Sequence, residues 1–382
     1  MQPEELEDIL DAVRTFIRGK VAPREEEIED TDSIPDDLRR DAADLGLFGF
    51  AIPEQYGGLG LSAYEEVQLA FELSYTAASF RSLFGTNNGI AGQVLMDQGT
   101  EEQKQSWLPR LASGEVIASF ALTEPDAGSD PSGMRTSAVR DGADYVINGA
   151  KRFITNAELS SLLVVFARTD PSTVGTTKGI SAFLVPTQTP GVTIGPHDKK
   201  MGQQGAWSSE VFFDEVRVSA EQLVGGAEEV GFRAAMQSLA KGRLNIAALC
   251  IGQAQRILDE SVRYAATAKQ GGQSLGSFQL VQAMLADSYA ELLAAKDMVL
   301  GVARRYDSGE DRKLGPSAAK LFASEMLGRV ADRGVQVHGG TGYMRAAPVE
   351  RFYRAARLFR IYEGTSEIQK LIIARQLLRD HG

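Results

Sequence analysis

The sequence predicts an α+β fold that is mostly α: a helical N-terminal domain over residues 1–117, a small antiparallel β domain over 118–226, and a C-terminal four-helix bundle over 227–382. Three patterns carry that prediction. Apolar residues recur every three or four positions in the first third. Short β-branched and aromatic runs, broken by Gly, Pro, Asn and Asp, fill the middle, and long Ala/Leu-rich amphipathic stretches follow to the end. A length of 382 residues suits two or three domains of about 150 residues each.

In the first domain Leu6, Ile9, Leu10, Val13, Phe16 and Ile17 stand at helical spacing, and Leu38, Ala42, Leu45 and Leu47 repeat it after the turn Ser33-Ile34-Pro35-Asp36. Ser62 with Glu65 forms a capping box that starts a helix through Leu69, Phe71 and Leu73, and Thr100 with Gln103 starts another. The acidic run from Glu25 to Asp32 reads as a solvated helix end and linker. Gly58-Leu59-Gly60-Leu61-Ser62-Ala63 spells a dinucleotide fingerprint, but no buried strand precedes it, so that reading fails. In the middle, the runs 117–122, 144–148, 162–167, 180–185, 192–194 and 210–218 read as strands, with turns at Asp141-Gly142 and Pro190-Gly191. After Leu223-Val224-Gly225-Gly226, the stretches 229–268, 277–306, 314–337 and 366–378 read as helices that pair into an antiparallel bundle.

Composition narrows the chemistry. Three histidines, His197, His338 and His381, and one cysteine, Cys250, leave no intrachain disulfide, no Cys/His zinc site and little basis for a His-based nucleophilic machine. A net charge of −11 argues against a nucleic-acid partner. No apolar run approaches the roughly 20 residues of a membrane span, and Met1-Gln2-Pro3-Glu4-Glu5 is acidic where a targeting peptide is basic. A soluble cytoplasmic protein is expected.

Three segments are candidates for chemistry. Phe120 to Asp130 reads as a strand running into a tight turn with backbone N–H groups free to point outward. Lys151-Arg152-Phe153-Ile154-Thr155-Asn156-Ala157 puts an aromatic ring and a hydroxyl on one side of a strand. Taken alone, each reads as an ordinary strand and turn. In Arg360-Ile361-Tyr362-Glu363-Gly364-Thr365-Ser366-Glu367-Ile368-Gln369, Ser366 and Gln369 read as a capping box, so Glu363 falls on the irregular approach to a helix beside a glycine that admits another molecule. It is a candidate general base, or else a surface glutamate.

These segments occur in order with Gly339-Gly340-Thr341-Gly342-Tyr343, Pro348-Val349-Glu350-Arg351 and a closing Ile368 to Arg375. With them the chain resembles the acyl-CoA dehydrogenase family of flavoproteins over essentially its whole length. The resemblance implies that family's fold, with a β-barrel-like middle domain, and its cofactor FAD. It implies α,β-dehydrogenation of an acyl-CoA to the trans-2-enoyl thioester: Glu363 takes the α-proton, and the β-hydrogen leaves as hydride to flavin N5. It also implies a homodimer or homotetramer, and an electron-transfer flavoprotein as acceptor.

Residue by residue, the resemblance implies that Phe120, Leu122, Thr123, Gly128 and Ser129 follow the flavin ring and its hydroxyl tail, Ser129 also touching the CoA chain. Phe153 stands where the family often has tryptophan over the outer flavin face, with Ile154 beside it and Thr155 toward N5. Phe278 and Gln279, with Gln336, Val337, Gly339 and Gly340, would meet the adenine half across a dimer interface, His338 being a wall residue there. Thr365 and Glu367 would complete the FAD contacts, and Arg243 and Gly364 would serve the substrate. The resemblance further implies that the backbone N–H of Glu363 and a ribityl hydroxyl polarise the thioester carbonyl. One subgroup carries its base at the position of Gly242, so Glu363 has no rival here.

Three departures stand out. Ala268-Lys269-Gln270-Gly271-Gly272 lacks the family's arginine and phenylalanine, whose pyrophosphate contact is worth about 1.5 to 3 kcal/mol unless Lys269 substitutes. Ala240 and Ala355 replace frequent aspartates. A dehydrogenase of carrier-protein-bound, branched or cyclic acyl thioesters, or a non-catalytic flavin-fold subunit of a heteromer, are the alternatives. The small residues Gly89, Ala91 and Gly92 imply either a roomy acyl pocket or close helix packing.

Overall fold

The computed structural model describes residues 1–379, and His381 lies outside them. Its first third contains helices α1 (Pro3–Phe16), α2 (Glu25–Thr31), α3 (Asp36–Asp44), α4 (Ala63–Leu73), α5 (Ala78–Asn88), α6 (Ile90–Gln98) and α7 (Glu101–Ala112). The two N-terminal capping boxes form. Ser62 Oγ accepts from Glu65 N at 3.3 Å while Glu65 Oε2 accepts from Ser62 N at 2.7 Å, and Thr100 and Gln103 reciprocate in the same way. Phe16, Phe48, Phe80 and Phe84 meet edge-on or tilted inside this helical group. The small residues between α5 and α6 serve packing: Ala91 is fully buried, and a Cβ on Gly92 would lie 1.7 Å from Asn87 O.

The middle of the chain forms β1 (Ala118–Ala121), β2 (Ser137–Asp141), β3 (Asp144–Thr155), β4 (Leu162–Arg168), β5 (Ile180–Pro186), β6 (Val192–Ile194) and β7 (Ser208–Ser219), in sheet order β1-β4-β2-β3-β7-β6 with β5 on β4. The expected antiparallel sheet proves mixed, because β1 runs parallel to β4 from Ala118↔Leu162 to Ala121↔Val165. The whole β2–β3 hairpin lies between those two strands in sequence, and a connection of that length lets the chain return in the same direction. Strand β2 leaves little trace in the sequence, since its largest apolar residue, Val139, faces solvent.

The last third contains α8 (Gly231–Thr267), a small hairpin β8 (Lys269–Gln270) and β9 (Gln273–Ser274), α9 (Gln279–Asp307), α10 (Leu314–His338), α11 (Pro348–Ala356) and α12 (Ser366–Arg379). Helices α8, α9 and α10 interlock through small and branched residues, among them Ala247, Ile251, Ala295, Val299, Ala323 and Leu327. The fourth helix of the bundle, α12, lies along α10 and buries only Ser366 and Gln369, because its apolar residues are spread around the helix. Among the described residues no helix is long and apolar enough to cross a membrane.

The acidic run departs from expectation. Glu26, Glu27 and Asp30 are exposed, but Glu25 is 2% exposed and sits between Arg256 (3.3 Å) and Arg351 (3.4 Å), accepting from Thr76 Oγ1 at 2.8 Å. Glu29 pairs with Arg354 at 2.5 Å. Arginines more than two hundred residues away supply the countercharge, so α2 anchors the N-terminal helices to α8 and α11. Glu25→Ala should leave the buried Arg351 guanidinium without a carboxylate and Arg256 with Glu260 alone, and lower stability by about 3 to 5 kcal/mol, read as a fall in the urea midpoint.

Candidate active site

Two segments of the β domain are tied together by a dry ion pair. Lys151 is fully buried; its Nζ donates to Leu122 O (3.1 Å) and Glu124 Oε1 (2.8 Å), and Glu124 also accepts from the backbone N–H of Arg135 (2.7 Å) and Thr136 (2.9 Å). Burial pulls the Lys151 ammonium down to about 8. Burial opposes ionisation of Glu124 too, but Lys151 and its other donors hold it below the usual carboxylate range. Glu124 and Ala127 exchange backbone hydrogen bonds at 3.2 Å, closing a turn beyond which Gly128 and Ser129 are exposed. Their N–H groups make no hydrogen bond among the described residues.

The N–H of Arg152 donates to Thr123 O at 2.9 Å, and Ser119 Oγ donates to Thr155 O at 2.8 Å, so β3 lies directly beside this turn. A register shift between Lys151 and Ile154 bulges β3. Phe153 sits in the bulge at φ +58°, a costly conformation for an aromatic residue; its ring is 61% exposed, with the Arg152 guanidinium 4.3 Å above it. Ile154 points into the core, so Phe153 and Thr155 share the open face. The side chains of Leu122 and Ile154 are buried, leaving only their backbone to face a ligand.

Glu363 lies between α11 and α12 at φ +52°, followed by Gly364 at φ +90°. The capping box expected of Ser366 and Gln369 does not form. Thr365 Oγ1 takes the cap, accepting from Ile368 N at 3.3 Å, because Ser366 lies inside the helix and turns its hydroxyl to Glu325 (2.6 Å). Gln369 instead reaches back, donating to Gly364 O (2.9 Å) and Glu363 O (3.3 Å). The fully buried Lys320 donates to the same Gly364 O at 2.7 Å. A Cβ on Gly364 would come within 2.5 Å of Gln369 Nε2, so the glycine permits this clamp.

The Glu363 carboxylate turns inward. Its Oε2 is buried with no hydrogen-bond partner, which excludes the surface-glutamate reading. Burial raises its pKa above the ordinary value, against the pull of Arg81, Lys320 and Arg243. A Cβ on Gly242 would stand 2.2 Å from Oε2, so positions 242 and 363 address one point. Arg243 is 7% exposed, its Nε has no partner, and burial lowers its pKa. Arg81 on α5 has the same orphaned Nε, and it donates through Nη2 to Asn245.

Helix α5 joins the two halves of the site. Asn156, the residue after Thr155, donates to Ser82 O (2.8 Å), Leu83 O (3.3 Å) and Thr86 Oγ1 (3.2 Å) on that helix. The other expected residues lie elsewhere. Phe278, Gln279, Gln336, Gly339 and Gly340 are exposed around the C-terminal end of α8, where Tyr264 stacks on His338 at 4.3 Å and reaches Thr341 at 3.2 Å; Val337 is buried. Tyr264 lies 21 residues beyond Arg243 on the one helix, about 32 Å at 1.5 Å per residue. Lys269 and Gly271 form the exposed β8–β9 hairpin nearby, and Glu367 is exposed on the first turn of α12.

Sequence reasoning missed Arg81, Asn245, Lys320 and the clamp by Gln369. Each is an unremarked polar residue in a helical pattern, and only packing reveals its role.

The family models for the acyl-CoA dehydrogenase N-terminal, middle and C-terminal domains match residues 3–115, 119–216 and 229–378. A probable acyl-CoA dehydrogenase of Bacillus subtilis, YngJ, is 42% identical over 98% of both chains. The butyryl-CoA dehydrogenase of Megasphaera elsdenii superposes with a TM-score of 0.94 at 33% identity over 99% of both chains. A chain from a structure of the electron transferring flavoprotein of Acidaminococcus fermentans does so with a TM-score of 0.95 at 35% identity, again over 99% of both. Proteins of the matched family bind FAD. All three of its domains are matched in order along a chain with this fold, and the protein belongs to the acyl-CoA dehydrogenase family of oxidoreductases.

Proposed function

We propose that the chain is an FAD-dependent acyl-CoA dehydrogenase in which Glu363 removes the α-proton of an acyl thioester. The observation that carries this reading is the buried, donor-free Oε2 of Glu363. A carboxylate with an ordinary pKa near 4.3 is far too weak a base for an unactivated α-C–H, so it has to be desolvated and the thioester carbonyl polarised. Both conditions find support in this chain. Burial lifts the carboxyl, and the Glu363 N–H makes no hydrogen bond among the described residues, leaving it free to donate to the carbonyl.

The residues present fit FAD. Phe153 and Thr155 offer a ring and a hydroxyl on one open face, and the free N–H groups of Gly128 and Ser129 can receive polar atoms. Phe120, Leu122, Thr123 and Ile154 would complete that wall, Leu122 and Ile154 chiefly through backbone, with Thr365 and Glu367 contributing from α12. FAD, when bound, supplies the acceptor for the β-hydrogen. Phe278, Gln279 and the segment Gln336–Gly340 would serve the FAD of a second subunit, a reading supported by their exposure and by the roughly 32 Å that separates them from Arg243. An electron-transferring flavoprotein is the proposed acceptor, consistent with the Acidaminococcus likeness.

The test is direct. FAD-loaded protein should be yellow, and an acyl-CoA added without oxygen should bleach it. Glu363→Gln should keep the colour and lose the bleaching; bleaching that survives overturns the assignment. The active form is the carboxylate, so kcat/KM should fall as pH falls, with its midpoint above the ordinary glutamate value because burial raises it. Gly242→Ala should push the carboxylate aside and lower kcat/KM by about 100-fold with little change in Tm.

A further inference from the structure

Most buried cations of this chain carry their own counterpart. Lys151 has Glu124, Lys241 has Glu66 at 2.7 Å, Arg256 and Arg351 share Glu25, and Arg168 is surrounded by backbone carbonyls. Near Glu363 two guanidinium groups break the pattern. Arg243 is the one the family resemblance assigns to the substrate. Arg81 has no task in the proposed reaction.

Among the described residues the Arg81 guanidinium makes one hydrogen bond, to Asn245 Oδ1, and its buried Nε makes none. Desolvation presses on it, and no carboxylate ion-pairs with it. The side chain is only partly exposed and its Nε is buried, and a guanidinium so placed without a paired anion favours an anionic ligand. Its position is built rather than incidental. The side chain lies along its own helix over Gly85, where a Cβ would meet Nη1 at 2.4 Å, and Asn245 of α8 holds the other end. Asn245 stands three residues beyond Gly242 on α8, and Glu363 Oε2 lies against Gly242, so Arg81 and Glu363 meet the same helix one turn apart.

We propose that Arg81, held by Asn245 and given room by Gly85, binds a carboxylate at the far end of the acyl chain, making the substrate the CoA thioester of a short dicarboxylic acid. This rests on the dehydrogenase reading above. The terminal carboxylate takes no part in the bond changes. One α-hydrogen goes to Glu363 as a proton, the β-hydrogen leaves with its electron pair to FAD, a C=C bond forms, and the carboxylate departs on the product. The closeness of Arg81 to Glu363 keeps the chain short. An uncharged acyl tail would leave the guanidinium dry and unpaired, and a site built around a charged group rejects the analogue that lacks it.

The experiment compares chains of equal length. FAD-loaded wild type and Arg81→Gln are assayed with glutaryl-CoA against pentanoyl-CoA and succinyl-CoA against butyryl-CoA, reading the ratio of kcat/KM within each pair. In wild type at least one pair should favour the dicarboxylate, and Arg81→Gln should lower that ratio by at least about tenfold. Arg81→Lys should retain part of the preference. A ratio at or below 1 in both pairs, or one that Arg81→Gln moves by less than about tenfold, overturns the proposal. The ratio is insensitive to loss of folded protein, and it separates carboxylate binding from tuning of Glu363, which would depress both members of a pair alike. Bleaching by the uncharged thioesters without a preference sinks this inference alone. Bleaching by none of the four also sinks this inference, while the dehydrogenase reading falls only if other acyl-CoAs fail to bleach the flavin as well.

Discussion

Glu363 carries an oxygen that meets neither water nor a hydrogen-bond donor, and the surrounding structure has to tolerate that isolation. It does so at one remove. Arg81, Lys320 and Arg243 act through space, lowering the pKa that burial raises, without bonding to the exposed lone pairs. A direct ion pair would quench the proposed base. The backbone is then fixed by contacts that leave the carboxylate alone: Lys320 and Gln369 both grip the carbonyl of Gly364, and Thr365 ties down the start of α12. Position is enforced on the main chain, and reactivity is left to the side chain.

The β domain shows the opposite use of buried charge. Lys151 and Glu124 are also dry, but each has its partner and both oxygens of Glu124 also meet backbone donors. A satisfied pair of this kind fixes geometry and does no chemistry. It anchors the turn that presents Gly128 and Ser129, and the bulge beyond Lys151 rotates Phe153 outward. Satisfied charges hold the proposed cofactor wall in place, while the unsatisfied ones near Glu363 are those the proposals above assign to a substrate.

How much of this was legible in the sequence follows from the range of the forces involved. The capping boxes at Ser62 and Thr100, the helical periods and the two-residue alternation of strands are local, and the three-part order could be read from them. The place of Glu363 on the irregular approach to a helix, beside Gly364, was local as well. Parallel pairing of β1 with β4 was not, since nothing within either strand specifies its neighbour's direction. Glu25 looked solvated because its arginines lie on α8 and α11. Ser366 and Gln369 had the spacing of a cap, yet Thr365 stood one residue nearer and Glu325 captured the serine. Arg81, in the run Ser79-Phe80-Arg81-Ser82, carries no mark that distinguishes it from an arginine on a solvated face.

Positions 242 and 363 converge on a single small volume from a helix and from a loop. They cannot both be filled, and on the proposed reading the base is absent if neither is. The reacting group is thus specified as a point in space, with two unrelated stretches of chain able to furnish it. A lineage that transferred the carboxylate from one stretch to the other would cross an inactive intermediate, whichever substitution came first. Descent along such a lineage should therefore show the two sites changing together, glycine at one answering glutamate at the other, while the helices around them stay as they were.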